Sequence, residues 1–194
     1  MESPLNHPAT PEAGRRPGEP ASAAPASPPP PEPGAPLPGD HRWWLVEEGF
    51  DLAREHEVES LLAISNGYLG TRASLAEGSE LSAPATFVAG IYGRRSEPGA
   101  VPALVTAPDA LRLRLVVEGE AVALDHGETL EHRRALDMRR GVLWRVWRHR
   151  TPAGRITRIR ERRLASLADR HVLLQVVELV PENYGGRIEL ESRI

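Results

Sequence analysis

Residues 111–124 read Leu-Arg-Leu-Arg-Leu-Val-Val-Glu-Gly-Glu-Ala-Val-Ala-Leu, and this stretch decides the fold class. Leucine or valine stands at every second position from Leu111 to Val117, so an extended strand here has one apolar face. Glu118-Gly119 is a two-residue turn signal, and the short apolar run Ala121–Leu124 follows it. The stretch therefore predicts a β-hairpin.

The same two-residue period continues along most of the chain. Val142–Arg150, rich in valine and tryptophan, is predicted to pair as a strand with Arg155–Arg163. The linker between them, Thr-Pro-Ala-Gly, has proline and glycine where a type I turn favours them. Further strands are predicted at His171–Val180 and Arg187–Ile194, and only residues 51–62 show weak helical spacing. Short strands joined by frequent turns are typical of an antiparallel β-sandwich, so the predicted fold is all-β.

The first forty residues have a different composition. Thirteen of the 19 prolines lie between Pro4 and Pro38, in a run with almost no large apolar side chain. Such a segment buries too little surface to offset its conformational entropy, so residues 1–40 are predicted to be a disordered tail. A tail of this kind can dock into an aromatic groove, but a plain spacer is the simpler interpretation. The folded domain is predicted over residues 41–194.

Composition argues against several classes of protein. The chain has no cysteine, which excludes disulfides and thiolate metal sites. It has no signal-peptide pattern and no apolar run long enough to span a membrane, so a soluble cytoplasmic protein without a membrane partner is expected. The net charge of −3 does not indicate a nucleic-acid partner. The histidines are scattered and no nucleotide-binding motif is present, so no metal, cofactor or catalytic site is predicted.

Two motifs carry a resemblance to a known family. Residues 66–72 read Asn-Gly-Tyr-Leu-Gly-Thr-Arg, and residues 134–143 read Arg-Ala-Leu-Asp-Met-Arg-Arg-Gly-Val-Leu. Three more segments follow the same order as in that family: Trp44–Asp51, Phe87–Tyr92 and Arg163–Asp169. With these five segments, the chain from Trp44 onward resembles the N-terminal domain of glycoside hydrolase family 65. Ala73 and Ala110 depart modestly from the family's pattern, which affects the local loops.

The resemblance implies a galactose-mutarotase-like super-sandwich and a role in carbohydrate metabolism. The family contains maltose, trehalose and kojibiose phosphorylases, which use inorganic phosphate as co-substrate, and related α-glucoside hydrolases. Their general acid and phosphate site lie in an (α/α)6 barrel, and no segment of this chain resembles that barrel. The chain is therefore expected to be a truncated, incomplete N-terminal domain, inactive alone, whose partners are the barrel or a second subunit and an α-glucoside disaccharide. The resemblance does not choose the disaccharide linkage, or phosphorolysis over hydrolysis.

Two other functions remain open at this level. The chain can be a stand-alone carbohydrate-binding or subunit-interaction module. It can also be a truncated gene product without a function, which predicts poor solubility because residues 172–180 and 187–194 would lack neighbouring strands.

The resemblance marks eight family-motif positions: Asn66, Gly67, Tyr68, Gly70, Arg72, Arg134, Asp137 and Arg163. The two glycines are expected to allow positive φ in a tight loop. That loop is either a turn that Tyr68 and Arg72 pin to the sandwich, or a loop that reaches the sugar-binding mouth of a barrel. The last three residues are predicted to form a buried ion-pair network, with a general-acid role for Asp137 as the alternative.

Arginine dominates one part of the chain. All 24 basic residues are arginines, and half of them lie between Arg133 and Arg163, where only Asp137 and Glu161 oppose them. Three interpretations follow, in decreasing order of preference: a solvated face, a face that meets acidic groups of the barrel or a second subunit, and an RNA-binding surface on which Trp144 and Trp147 stack.

Overall fold

The computed structural model describes residues 30–93 and 101–192; the predicted tail up to residue 29 lies outside the described residues. Within the described ranges the chain forms one α-helix, α1 (Glu55–Leu61), and two short 3-10 helices, His41–Trp43 and Leu52–Arg54. The strands are β1 (Trp44–Glu48), β2 (Ile64–Ser65), β3 (Leu69–Thr71), β4 (Thr86–Gly93), β5 (Ala103–Ala107), β6 (Leu113–Val117), β7 (Glu120–Val122), β8 (Glu128–Asp137), β9 (Val142–Arg150), β10 (Ile156–Ala165), β11 (Leu173–Pro181) and β12 (Ile188–Ser192). None of the described helices has the length and apolarity needed to span a membrane.

The strands form three sheets in which neighbouring strands are antiparallel. The largest has the order β1-β8-β9-β10-β11, and the others have the orders β12-β6-β7 and β2-β3-β4-β5. The predicted hairpin is confirmed as β6–β7, and its turn has positive φ at both Glu118 and Gly119, as a type I′ turn requires. The predicted pairing of β9 with β10 is also confirmed, with the Gly154 amide donating to the Thr151 carbonyl across the turn.

The five-stranded sheet has two faces with different neighbours. Its inner face carries Leu143, Arg145 and Trp147 of β9, because alternate residues of a strand point the same way. The three-stranded sheet packs on this face through an apolar cluster formed by Leu115, Val117, Val122, Trp147 and Ile159. Two antiparallel sheets packed face to face confirm the predicted β-sandwich.

The helix packs on the same inner face, beside the three-stranded sheet. Val58 and Leu62 of α1 are buried against Ile64, Leu136 and Leu143. The weak helical spacing over residues 51–62 is thus confirmed as a 3-10 turn followed by α1. Glu55 and Glu59 lie on the same side of the helix and are also fully buried, which explains why the apolar periodicity was weak.

Residues 30–40 do not behave as a free tail. They lie against the outer face of the five-stranded sheet, which carries Trp144, Val146 and Arg148, and Leu37 packs on its apolar residues. Residues 30–40, which the prediction assigns to the tail, therefore make specific contacts with the sandwich. Residues 1–29 lie outside the described part.

Two edges of the sandwich each have one neighbouring strand. Within the described residues β11 pairs with β10 alone, and β12 pairs with β6 alone. The exposed apolar residues here are Leu174 of β11, Leu190 of β12 and Val172, which directly precedes β11. Each of these two strands therefore has one unpaired edge among the described residues.

Candidate functional site

The loop between β2 and β3 contains the first family motif. The Asn66 side chain organises it: its Oδ1 accepts the amides of Tyr68 and Leu69 at 3.0 and 2.8 Å. Its Nδ2 donates to the carbonyls of Ser166 and Arg170 at 2.7 and 3.1 Å, in the loop that precedes β11. One side chain therefore closes its own turn and ties it to a segment a hundred residues away.

The two motif glycines have different roles. Gly67 has φ of +84° at the turn, as predicted. Gly70 does not have a positive φ; it lies in β3, and a Cβ there would stand 3.4 Å from the Ser65 Oγ of the paired strand. The prediction of positive φ is thus wrong for Gly70, where a Cβ would make only ordinary contacts.

The aromatic and basic residues of this motif have partners within the chain. The Tyr68 ring lies under the Arg170 guanidinium, 4.8 Å from the centroid, and meets the His171 ring edge-on. Arg72 Nη2 lies 2.9 Å from Glu59 Oε1 and donates to the His56 carbonyl at 2.9 Å. Arg72 thus connects the end of β3 to α1.

Six charged side chains form a cluster on the inner face of the five-stranded sheet, where α1 packs. We call it the buried charge cluster; its side chains are at most 6% exposed, and its members are Glu55, Glu77, Arg134, Arg145, Glu161 and Arg163. Three positive charges meet three negative charges. Because a buried charge is costly unless it is paired and hydrogen-bonded, this balance is what permits the burial.

Two pairs in the buried charge cluster are bidentate. Arg134 donates from Nη1 and Nη2 to the two Glu55 carboxylate oxygens at 3.0 and 2.8 Å. Arg145 donates in the same way to Glu77, at 2.6 Å for both bonds. The guanidinium fork matches two carboxylate oxygens, so each pair fixes an orientation as well as a distance.

The third pair joins the cluster to the chain beyond β3. Arg163 Nε donates to Glu161 Oε1, and its Nη1 donates to the Ser74 carbonyl at 2.7 Å. Ser74 Oγ in turn donates to Glu59 of α1 at 2.5 Å. The cluster therefore holds the segment around Ser74 between the helix and the five-stranded sheet.

The predicted network of Arg134, Asp137 and Arg163 is wrong in its members. Arg134 and Asp137 are three residues apart on β8, so their side chains lie on opposite faces of the sheet. Asp137 bonds instead to Arg140 Nη1 at 2.7 Å and to the Arg139 amide at 3.0 Å. The interpretation of the arginines as a solvated face is also wrong for the four that are buried: Arg133, Arg134, Arg145 and Arg163.

A cleft of about 130 Å³ lies on the other side of Asp137. Trp43, 46% exposed, forms part of its wall. Its two carboxylates already have partners, since Asp40 accepts from Arg42 and Asp137 accepts from Arg140. The remaining lining residues are Pro38, Gly39, Trp44 and Arg139.

The profile of the N-terminal domain of glycosyl hydrolase family 65 matches residues 45–194, well over half of the chain. The chain belongs to glycosyl hydrolase family 65. The resemblance carried by residues 66–72 and 134–143 is thereby confirmed, and this chain is the family's N-terminal domain.

The relatives are longer proteins. The chain is 37% identical to the kojibiose phosphorylase of Caldanaerobacter subterraneus subsp. tengcongensis and 34% identical to that of Thermoanaerobacter brockii, each over 81% of this chain and 20% of the relative. It is also 33% identical to an uncharacterized glycosyl hydrolase of Mycobacterium tuberculosis, over 80% of this chain and 12% of that protein. The chain therefore spans about a fifth of the length of the kojibiose phosphorylases that it matches.

A solved structure agrees with the fold. A putative kojibiose phosphorylase from the human microbiome superposes with a TM-score of 0.63 and 21% identity, over 71% of this chain and 19% of that chain. At this identity the likeness concerns the fold alone. It supports the sandwich of a family 65 N-terminal domain.

Glu161 of the buried charge cluster is poorly suited to donate a proton. Burial by itself would raise the pKa of Glu161, but the guanidiniums of Arg163 and Arg145 and the Gln175 amide outweigh it, so the pKa lies below its ordinary value. A glycosidic general acid needs the opposite shift. Among the described residues no group of three histidine, aspartate or glutamate side chains is arranged to hold a metal ion.

His132 is a buried neutral base beside the buried charge cluster. Burial, followed by the positive charge of Arg145, holds the pKa of His132 well below its ordinary value. The Nδ1–H donates to the Gly49 carbonyl at 2.8 Å, and Nε2 accepts from Arg145 Nε at 3.1 Å. A proton on Nε2 would therefore face the N–H of the positively charged Arg145, which disfavours the protonated imidazole.

This arrangement predicts a loss of stability in mild acid. A depressed pKa in the folded state means that the unfolded chain takes up a proton first, near pH 6.5, so the free energy of unfolding should fall as the pH drops from 7 to 5. One histidine contributes at most about 1.4 kcal/mol per pH unit, and His149, whose pKa is also lowered by burial, adds to the slope.

The measurement is urea unfolding at pH 7, 6 and 5, with His132→Gln as the comparison. The variant should show a flatter dependence on pH, because glutamine does not titrate. Parallel curves for the two proteins would contradict this assignment.

Proposed function

We propose that this chain is the non-catalytic N-terminal domain of an α-glucoside phosphorylase or hydrolase and is inactive toward α-glucosides by itself. The observation that carries the proposal is the state of the buried carboxylates. Each of the five in the described residues is paired with an arginine: Glu55 with Arg134, Glu59 with Arg72, Glu77 with Arg145, Asp137 with Arg140 and Glu161 with Arg163. Glycoside cleavage needs two carboxyl groups flanking the bond, one of them a proton donor.

The remaining surface supports a role in contacting the rest of a larger enzyme. The hairpin of β4 and β5 exposes Ile91, Tyr92, Leu104 and Val105, with Tyr92 59% exposed. Clustered exposed apolar residues are typical of interaction sites. We infer that this hairpin and the open edges of β11 and β12 face the catalytic barrel of the parent enzyme or a second subunit.

The names of the relatives indicate which substrate of the parent enzyme to test first. Two of them are kojibiose phosphorylases, so kojibiose is the first α-glucoside to test, with inorganic phosphate as co-substrate. The absence of cysteine from the chain agrees with a cytoplasmic enzyme, which is part of the proposal.

The purified chain should release neither glucose 1-phosphate nor glucose. It is incubated with kojibiose, maltose or trehalose, with and without phosphate, beside the Caldanaerobacter kojibiose phosphorylase as a positive control. Phosphate-dependent formation of glucose 1-phosphate by the chain alone would overturn the proposal.

The cleft beside Asp137 favours a second candidate, a carbohydrate-binding module. An exposed indole such as that of Trp43 offers an apolar face together with a polar N–H, which suits a sugar ring. Titrating kojibiose while following tryptophan fluorescence tests this function. A saturable change that disappears in Trp43→Ala would support it, and an unchanged spectrum would count against it.

A further inference from the structure

Residues 30–40, which we call the strap, cross the outer face of the five-stranded sheet. The strap begins with a tight turn, Glu32-Pro33-Gly34-Ala35, in which the Ala35 amide donates to the Glu32 carbonyl at 3.0 Å. Proline at the second position and a glycine with φ of +71° at the third are the signature of a type II turn. Because proline restricts this turn in advance, little conformational entropy is lost when the strap docks.

The acidic side chain of the strap lies between two arginines of β10. Arg158 Nη1 donates to Glu32 Oε2 at 2.9 Å, and Arg160 Nε donates to Oε1 at 2.8 Å. Arg133 of β8 holds the backbone of the turn, because its Nη1 donates to the carbonyls of Glu32 and Ala35 at 2.6 and 2.9 Å. Three arginines from two strands therefore recognise both the charge and the shape of the turn.

The other end of the strap makes apolar contacts. Leu37 packs against the cluster of Trp44, Ala135 and Trp144 on the outer face. Trp44 Nε1 also donates to the Pro38 carbonyl at 3.0 Å. An indole that packs beside a proline-rich segment while donating to its backbone is the usual way in which proteins bind polyproline-II ligands.

The arginines that bind the strap have other acidic partners. Arg133 also pairs with Glu48, and Arg158 and Arg160 also bond Glu182 and Glu178 at 3.3 and 3.1 Å. Release of the strap thus leaves each of these three arginines with an acidic partner. In the buried charge cluster, by contrast, loss of one member leaves an enclosed charge unpaired. The match to the family profile begins at residue 45, after the strap.

We propose that the outer face is a binding groove for an acidic, proline-containing peptide, and that the strap occupies this groove in cis. The ligand is an extended segment with a Glu-Pro-Gly turn followed by an apolar residue. Only the 3-10 helix His41–Trp43 separates the strap from β1, so the effective concentration of the strap at the groove is high. A peptide in trans therefore binds only when the strap is weakened. This inference does not depend on the proposed function.

The test uses a fluorescein-labelled peptide with the sequence of residues 29–40 and the full-length chain. Glu32→Ala combined with Leu37→Asp in the chain should release the strap, and fluorescence polarisation should then report saturable binding of the peptide. Adding Arg160→Glu to this variant should weaken binding by roughly tenfold or more, because the peptide glutamate loses a partner and meets a like charge. The wild-type chain should bind the peptide at least roughly tenfold less well than the strap-weakened chain.

A charge exchange provides the matched control. A peptide in which the glutamate is replaced by lysine should bind the Arg160→Glu chain better than it binds the strap-weakened parent. Cooperative urea unfolding checks that each variant is folded, and Arg160→Gln replaces Arg160→Glu if it is not. The proposal would be overturned if the folded strap-weakened chain did not bind the peptide. It would also be overturned if the change at Arg160 left the affinity for the peptide unaltered.

Discussion

Glu55→Ala is expected to lower the free energy of unfolding by about 3–5 kcal/mol, a large part of the total stability of a domain this size. Glu55 is the bidentate partner of Arg134, whose side chain is 3% exposed. Removing the carboxylate leaves a cation enclosed by protein, and Arg134 Nε already finds no acceptor among the described residues. The measurement is equilibrium unfolding in urea at pH 7.

Two controls separate the buried charge from the loss of side-chain volume. The double variant Glu55→Leu with Arg134→Met replaces the pair by apolar groups of similar size and should recover most of the lost stability. Glu128→Ala breaks the exposed pair with Arg150 and should leave the unfolding midpoint nearly unchanged. A Glu55→Ala protein as stable as the Glu128→Ala protein would show that the buried pair is not stabilising.

Trp147→Ala is expected to cost about 3–5 kcal/mol, because it opens a cavity between the two packed sheets. Trp147 is 3% exposed, and its indole packs among Leu115, Val117, Val122 and Ile159. The Arg145 guanidinium also lies 4.4 Å from its ring centroid, so the change removes a cation–π contact from the buried charge cluster. Urea unfolding again gives the free energy.

Trp147→Phe is the matched variant. It keeps most of the ring volume, and the Trp147 Nε1–H has no acceptor among the described residues, so its loss removes no hydrogen bond within them. The phenylalanine protein should therefore be clearly more stable than the alanine protein. Equal losses of unfolding free energy in the two variants would contradict the cavity argument. Non-cooperative unfolding of the unmodified chain would instead favour a truncated product without a function.

Local sequence predicted the hairpins and the helix, since each depends on neighbours in the chain. The β6–β7 turn followed from Glu118-Gly119, and α1 followed from the spacing of Val58 and Leu62. Strand β8 was not predicted, because arginine and histidine occupy its inner-face positions where apolar residues mark most strands. The acidic residue Glu55 on the apolar side of α1 was the available signal for the partner of Arg134.

The sequence by itself determined the fold class, the family and the turns of this protein, because two-residue periodicity, ordered motifs and turn residues are local properties of the chain. Only the tertiary structure decided which charges meet. Glu55 and Arg134 are 79 residues apart, and Glu32 and Arg160 are 128 apart. Whether a given arginine is buried or solvated depends on which face of β8, β9 or β10 carries it and on what packs there. Composition alone cannot distinguish the two faces, since both carry arginines. Which carboxylate pairs with which arginine depends on the helix packing on one face and the strap on the other.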